Sequence, residues 1–282
     1  MNIGKYKLSV LETGTFALDG GAMFGIIPKP LWEKTNPPDE KNRITLATRC
    51  LLLESDSKKI LVDTGMGNNW NEKSSEIYNI DQNKNDLANS LFAHGIKADQ
   101  ITDVILTHLH FDHTGGSTKL ESDKFIPAFS NAKYFIQKKH FEWALNPNDR
   151  DKGSFIPSTF MSLINEGVLN FFNGDEFFDD EIQFLTINGH TIAQQMLKIF
   201  DSSNTFLFCG DLIPTMYHIP IPYVMGYDIQ PLETVKEKKK ILQTAVEENW
   251  KLIFEHDHQN VCATVHKTEK GFSYKEGFKE LL

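Results

Sequence analysis

Three imidazoles and a carboxylate crowd into the segment Thr107-His108-Leu109-His110-Phe111-Asp112-His113-Thr114-Gly115-Gly116. Imidazole nitrogen and carboxylate oxygen are the donors that zinc and similar divalent ions take from proteins. Apolar packing does not select such a set, because every buried polar group needs a partner of its own. A chance surface cluster is the plainer alternative, but the segment follows directly on Val104-Ile105-Leu106, a run typical of a buried strand.

Three further polar residues repeat this placement. His190 follows the apolar stretch 184–187 through Asn188-Gly189, Asp211 follows 206–209 through Gly210, and His256 follows 252–254 through Glu255. Any one of them alone reads as an ordinary loop residue. Four apolar stretches that each end in a potential ligand predict a site assembled at strand ends, where open α/β proteins gather their chemistry.

The elements that must hold these residues follow from pattern. A strand pair is predicted over 44–53 and 59–63 around the turn Glu54-Ser55-Asp56-Ser57, leaving through Asp63-Thr64-Gly65-Met66-Gly67. A helix is predicted over 86–94, capped by Asp86, stopped by Gly95, with Leu87, Leu91 and Phe92 on one face. Short strands are expected over 104–106 and 133–136, the second followed by a helix reaching Pro147, and again over 182–187, 196–200, 205–209 and 252–254. Pro231 opens a helix with Leu232, Val235, Leu242, Ala245 and Val246 inward, and its basic run 236–240 reads as a solvated face. Strand pairs alternating with helices imply sheets packed on each other with helices outside.

The 282 residues contain no linker or low-complexity tract, so one unit over 1–282 is expected. A net charge of −9, from 29 basic against 38 acidic residues, argues against a nucleic-acid partner, which needs a basic face. No apolar run approaches the roughly 20 residues that span a bilayer, and no secretory signal is evident, so a cytoplasmic protein without membrane contact is expected. Cys50, Cys209 and Cys262 form no pair at metal-binding spacing and read as small buried hydrophobes in a reducing compartment.

The sequence H-L-H-F-D-H followed by paired glycines, then a lone His, a Gly-Asp and a late His, resembles the metallo-β-lactamase superfamily. The resemblance runs from Leu61-Val62-Asp63-Thr64-Gly65 to Glu255-His256-Asp257. It implies an α/β (α+β) fold, the four-layer αββα sandwich with its site at one edge of two sheets, and a dinuclear metal-dependent hydrolase. Carried over by position, His108, His110 and His190 would bind one divalent ion, and Asp112, His113 and His256 a second. Asp211 would bridge the pair, and Asp63 would orient ligands without binding metal. Zinc is the expected ion, with manganese or iron as options. Asp112 and Asp211 would be the catalytic carboxylates, a metal-bridged hydroxide attacking an ester, lactone or phosphoester while Asp112 accepts the nucleophile's proton.

Details narrow the branch. Asp211 stands where the common di-zinc β-lactamases use cysteine, and Cys209, two residues away, belongs to the opposite face of its strand. His110 stands where flavodiiron oxidoreductases carry glutamate. Stretches 18–25, 210–215 and 227–234 are similar to quorum-quenching lactonases and methyl-parathion-hydrolase-like enzymes, which puts N-acyl homoserine lactones among the candidate substrates. Several lactonases place a substrate-binding tyrosine three residues after the bridging aspartate; here that residue is Pro214, and Tyr217, Tyr223 or Tyr227 would have to substitute. Aromatic and apolar stretches 16–32 and 125–172 are expected to shape a pocket for a small molecule with a hydrophobic portion. Among the other histidines, His140 reads as a surface residue, His258 and His266 as solvent-facing, His94 as a helix-end residue, and His218 as a candidate for the pocket. The rival readings are a mononuclear iron oxygenase of persulfide-dioxygenase type, opposed by the full second ligand set, and an RNA-processing nuclease, opposed by the charge. A homodimer is left open.

Overall fold

The structure is a computed structural model that describes residues 1–281. Its first sheet has seven strands in chain order: Asn2–Ile3, Tyr6–Asp19, Arg43–Glu54, Lys59–Val62, Asp103–Ile105, Lys133–Gln137 and Leu169–Phe172. Pairing is antiparallel up to Lys59–Val62 and parallel from there on. The second sheet also has seven, again in chain order: Phe177–Asp179, Ile182–Ile187, Gln194–Phe200, Thr205–Phe208, Lys251–Ile253, Cys262–Thr268 and Gly271–Phe278. It has one parallel pair, Thr205–Phe208 with Lys251–Ile253.

Period-two alternation builds the layers. Leu51 and Leu53 point between the sheets, where they meet Phe184, Phe206, Phe208 and Ile253, while Cys50 and Leu52 point to the outer side of the first sheet. Likewise Phe206 and Phe208 face inward, and Leu207 and Cys209 face the helix Pro231–Glu247. Helices Leu87–Ala93, Lys138–Leu145 and Met161–Asn165 cover the other outer face. The result is the expected helix–sheet–sheet–helix order, with the parallel strands Lys59–Val62 and Asp103–Ile105 of one sheet and Thr205–Phe208 and Lys251–Ile253 of the other leading to the site residues.

Two helix faces differ from expectation. Phe92 is 78% exposed, because Leu87–Ala93 is only seven residues long and docks through Leu91 and Ser90. In Pro231–Glu247 the buried residues are Thr234, Lys238, Ile241, Leu242 and Ala245, whereas Leu232 is 83% exposed. The basic run is therefore not wholly a solvated face. Lys238 is fully buried and donates from Nζ to the carbonyl oxygens of Pro220 at 2.9 Å and Tyr223 at 2.7 Å. Tyr6–Asp19 and the C-terminal hairpin went unforeseen. The first is broken by a register shift between Glu12 and Thr15, and the last strand is a largely exposed, charged edge.

Candidate metal centre

The strand Asp103–Ile105 delivers Thr107 to His113 to the sheet edge, and its neighbours fix them there. Asp63, in a left-handed conformation at φ 57°, accepts from the Thr107 backbone N–H at 2.7 Å and the Thr107 hydroxyl at 2.6 Å. Thr64 N donates to His113 O at 2.8 Å. The turn at Gly67 and the chain at Gly115 approach so closely that a Cβ on either would collide with the other's backbone. This accounts for one glycine of each motif, Gly67 and Gly115. From the second sheet, Ile182–Ile187 leads to His190, Thr205–Phe208 to Asp211, and Lys251–Ile253 to His256.

All seven predicted ligand residues come together, and all are buried. His110 Nδ1 lies 3.0 Å from His108 Nε2 and 3.1 Å from His190 Nε2. His113 Nε2 and His256 Nε2 are 3.3 Å apart, with Asp112 Oδ2 at 3.8 and 3.6 Å from them. Asp211 spans the two groups: Oδ2 is 3.2 Å from His190 Nε2, and Oδ1 is 3.1 Å from His256 Nε2.

The outward nitrogens are occupied on four of the five histidines, while His110 Nε2 has no hydrogen-bond partner among the described residues. His190 Nδ1 meets Asp228 Oδ1 at 2.9 Å, His256 Nδ1 meets the Ala47 carbonyl at 2.8 Å, and His108 Nδ1 meets the Thr107 hydroxyl at 3.1 Å. His113 Nδ1 lies 3.1 Å from Asp63 Oδ2 and 3.0 Å from Glu255 Oε2. With those nitrogens donating outward, the inward lone pairs of His108, His190, His113 and His256 converge on each other and on the carboxylates, an arrangement that suits a divalent cation. Four-coordinate zinc with Zn–N near 2.0–2.1 Å puts its nitrogens about 3.3 Å apart, close to the separations seen here.

Electrostatics divide the histidines. Burial and neighbouring imidazoles push His108 and His110 well down. Burial also works against protonation of His190, His113 and His256, but carboxylates overcome it: Asp211 and Asp228 raise His190, Glu255, Asp112 and Asp211 raise His113, and Asp211 brings His256 to about 9. Asp211 is held well below the usual carboxylate range because His256, His190 and His113 outweigh its burial. Glu255, buried beside His113, is pushed well up by desolvation.

A cavity of about 390 Å³ opens onto the site. Leu18, Met23, Leu46, Phe111 and Met225 make it apolar, and Tyr78, Tyr227, Arg150 and Asp151 add polar groups beside His110, Asp112, His190, Asp211 and His256. Of the three tyrosines weighed against Pro214, only Tyr227 is among the lining residues, while Tyr217 packs against Tyr274 and Tyr223 against Phe24. The Pro214 carbonyl instead accepts from His256 N at 3.1 Å. Cys209 is buried under the helix layer, as are Cys50 and Cys262 in their own clusters.

Two histidines need correction. His140 is fully buried, not a surface residue: Nε2 accepts from Leu109 N at 2.8 Å and Nδ1 donates to Ile192 O at 2.7 Å, tying the ligand segment to the His190 loop. His218 does not line the cavity but is buried, stacked on Phe24 and bonded to Thr215 and the Met23 carbonyl. His258 is exposed, His266 half-buried, and His94 caps its helix. Sequence reasoning missed Asp228, Glu255, Tyr78, Arg150 and Asp151. Only Glu255, next to His256, carried a positional signal.

The model of the metallo-beta-lactamase superfamily matches residues 43–256. This chain belongs to that superfamily. Among its curated relatives, an N-acyl homoserine lactonase of Bacillus thuringiensis is 26% identical over 227 residues, covering 76% of this chain and 82% of the relative. One from Bacillus cereus is 27% identical over 229 residues, covering 77% and 83%. A probable metal-dependent hydrolase from Staphylococcus aureus superposes with a TM-score of 0.89 at 26% identity, covering 99% of this chain and 98% of that one. A dizinc quorum-quenching lactonase in complex with a product shares the fold at TM-score 0.81 and 22% identity, covering 99% and 97%. This superfamily chain thus has the four-layer sandwich and the His/Asp clusters at its edge. No helix among the described residues is long and apolar enough to cross a membrane.

Proposed function

We propose that this chain is a dinuclear metallo-hydrolase acting on the ester bond of lactones that carry a hydrophobic chain, N-acyl homoserine lactones among them. His108, His110 and His190 hold one ion, Asp112, His113 and His256 the other, and Asp211 is shared. The observation that carries this reading is the Asp211 carboxylate, with one oxygen turned to each histidine group at the floor of an apolar cavity. The functional unit is the whole chain, because both sheets supply ligands.

Two divalent ions, zinc foremost, would supply Lewis acidity and lower the pKa of bound water from 15.7 to about 7, giving a nucleophile at neutral pH. The chain's own groups do the rest. Asp228, Ala47, Asp63 and Thr107 fix which nitrogen of His190, His256, His113 and His108 points inward. Asp112, on the cavity wall, is placed to accept the nucleophile's proton. The Tyr227 hydroxyl, raised to about 12 by burial and by Asp19, keeps its proton at neutral pH and donates to the substrate in place of the residue that Pro214 cannot supply. Leu18, Met23, Phe111 and Met225 receive the apolar chain and exclude water.

The test is elemental analysis joined to a hydrolysis panel of long-chain lactones, aryl esters and phosphotriesters. Two equivalents of metal with lactone turnover are expected. Stoichiometry held at one after reconstitution would sink the dinuclear site, and cleavage confined to phosphodiesters or RNA would sink the substrate reading.

A further inference from the structure

The backbone that carries His190 is gripped by a helix. His190 sits in the turn between the strands Ile182–Ile187 and Gln194–Phe200, and the helix Pro231–Glu247 lies flush against that turn. A Cβ on Gly189 would come within 2.3 Å of Thr234 Oγ1 and 2.6 Å of Thr234 Cα. The carbonyls of Asn188, Gly189 and His190 accept from Gln230 Nε2 at 3.0 Å, Gln230 N at 2.9 Å and Ile229 N at 3.1 Å. The two N–H groups that lead into His190 go to one side chain. Glu237 Oε1 accepts from Asn188 N at 2.7 Å, and Oε2 accepts from Gly189 N at 3.0 Å. A carboxylate that takes one N–H on each oxygen makes two charge-assisted bonds in a fixed geometry. This carboxyl is half-buried, and burial pushes it up against the opposing pull of the two N–H groups, with Glu233 and Asp228 adding to the push. The same helix steadies the ring, since the Thr234 hydroxyl donates to Asp228 Oδ2 at 2.8 Å and Asp228 Oδ1 meets His190 Nδ1 at 2.9 Å.

We propose that Glu237 is a positioning residue for the metal centre, a role that rests on the metal assignment above and extends it to a residue outside the ligand set. By binding both N–H groups ahead of His190, it sets where that ring stands and so how tightly the ion at His190 is held. His190 Nε2 lies 3.2 Å from Asp211 Oδ2 and 3.1 Å from His110 Nδ1. Metal–ligand distances tolerate only about 0.2 Å of error, so a small lift of the turn from the helix is felt at the ion. Asp228 orients the ring but cannot correct such a lift, because it bonds the imidazole and not the backbone behind it. If the two bonds merely closed the helix against the sheet, their loss would cost stability without acting through His190.

The experiment is a double-mutant cycle on zinc retention, read by chelator competition on the full chain as wild type, Glu237→Gln, His190→Ala and the double variant. Glu237→Gln keeps one acceptor and turns a donor toward the other N–H, so zinc should be held about tenfold more weakly. In the His190→Ala background the same substitution should change retention by less than about twofold, because the group through which Glu237 acts is gone. Equal losses in both backgrounds would overturn the proposal in favour of a structural role, and no loss in either would overturn it as well. If Glu237→Gln does not fold, Glu237→Asp, which keeps the charge but is one methylene too short to hold both N–H groups, takes its place in the same cycle. Zinc stoichiometry of the wild type separates the two failures. One equivalent with the coupling present rejects the dinuclear reading and leaves Glu237 in its role, whereas two equivalents without coupling do the reverse. Zinc retention that His190→Ala leaves unchanged would overturn both.

Discussion

The two halves of the site are built differently. The first sheet supplies His108, His110, Asp112 and His113 from one short segment after one strand, whereas the second supplies His190, Asp211 and His256 from three strand ends. They also differ in proton affinity: His108 and His110 are pushed down, His190 and His256 up. His113 breaks the division, since it belongs to the first segment yet is raised, with Glu255 and the site carboxylates facing it. A histidine's chemistry here is set by what its ring faces, and the motif that delivers it does not determine that.

Asp211 is where the halves join, so its loss should have the largest effect. Asp211→Ala should lower hydrolysis by at least about 10³-fold and release metal from both positions, while circular dichroism shows the fold intact. Loss of one equivalent only, with the rest tightly held, would show that the halves bind independently and that the shared carboxylate is not a bridge.

Each half also carries one buried, neutral histidine that braces it. Burial takes His140, behind Leu109, down to about 4, and His218, against Met23 and Phe24, down to about 3. Both values lie below the ordinary 6.5, so between those limits the unfolded chain binds more protons than the folded one, and stability falls as the solution is acidified. The contribution is complete above pH 6.5 and lost as pH drops through the folded values; for His140 it amounts to roughly 3 kcal/mol. Denaturant midpoints should therefore fall from pH 7 to pH 4.5, and His218→Gln should flatten that dependence relative to wild type. A variant with an unchanged slope would mean the buried ring is not the source.

The acceptors behind the rings give the next contrast. Asp228 accepts from His190 Nδ1 and from the Thr234 hydroxyl at 2.8 Å, whereas Glu255 shares His113 Nδ1, 3.0 Å from its Oε2, with Asp63. Asp228→Asn should weaken metal affinity about 10–100-fold in a chelator competition, and Glu255→Gln should cost less. The reverse order would show that the crowded His113 position, not His190, controls retention of the ions.

How far the sequence disclosed this follows the same division. The segment 107–116 announces itself because its candidate ligands fall within six positions, and the layers were legible because apolar runs of strand length ended in such residues. His190, Asp211 and His256 were legible only through a repeated placement. Asp228 and Asp151, on loops, and Tyr78, at the end of the short helix Glu72–Tyr78, were not, since they reach the site by a course that depends on tertiary contacts. Lys238 and His140 were misread for one reason: a polar side chain in a polar local run looks solvated until the carbonyls that receive it are brought near by distant chain. Lys238 ties the segment before Met225 and Tyr227 to the helix Pro231–Glu247 through Pro220 and Tyr223. Lys238→Met should destabilise the protein by about 2 kcal/mol and raise KM more than it lowers kcat.

The smallest effect is expected at Cys209, and it sharpens the comparison because this residue lies two positions from Asp211. The strand Thr205–Phe208 ends just before it, and the alternation that turns Phe206 and Phe208 between the sheets turns Leu207 and Cys209 toward the helix layer. Burial raises the thiol far above its ordinary range, so it remains protonated and is a poor metal donor. Its Sγ donates to the Leu207 carbonyl at 3.5 Å, an interaction that a serine hydroxyl can keep. Cys209→Ser should therefore leave metal content and turnover at wild-type levels and cost about 1 kcal/mol of stability, the price of a slightly smaller, more polar group in an apolar cluster. Metal loss in this variant would mean that the cysteine, and not Asp211, is the ligand this strand presents, and the division between a packing strand and its chemical end would have to be redrawn.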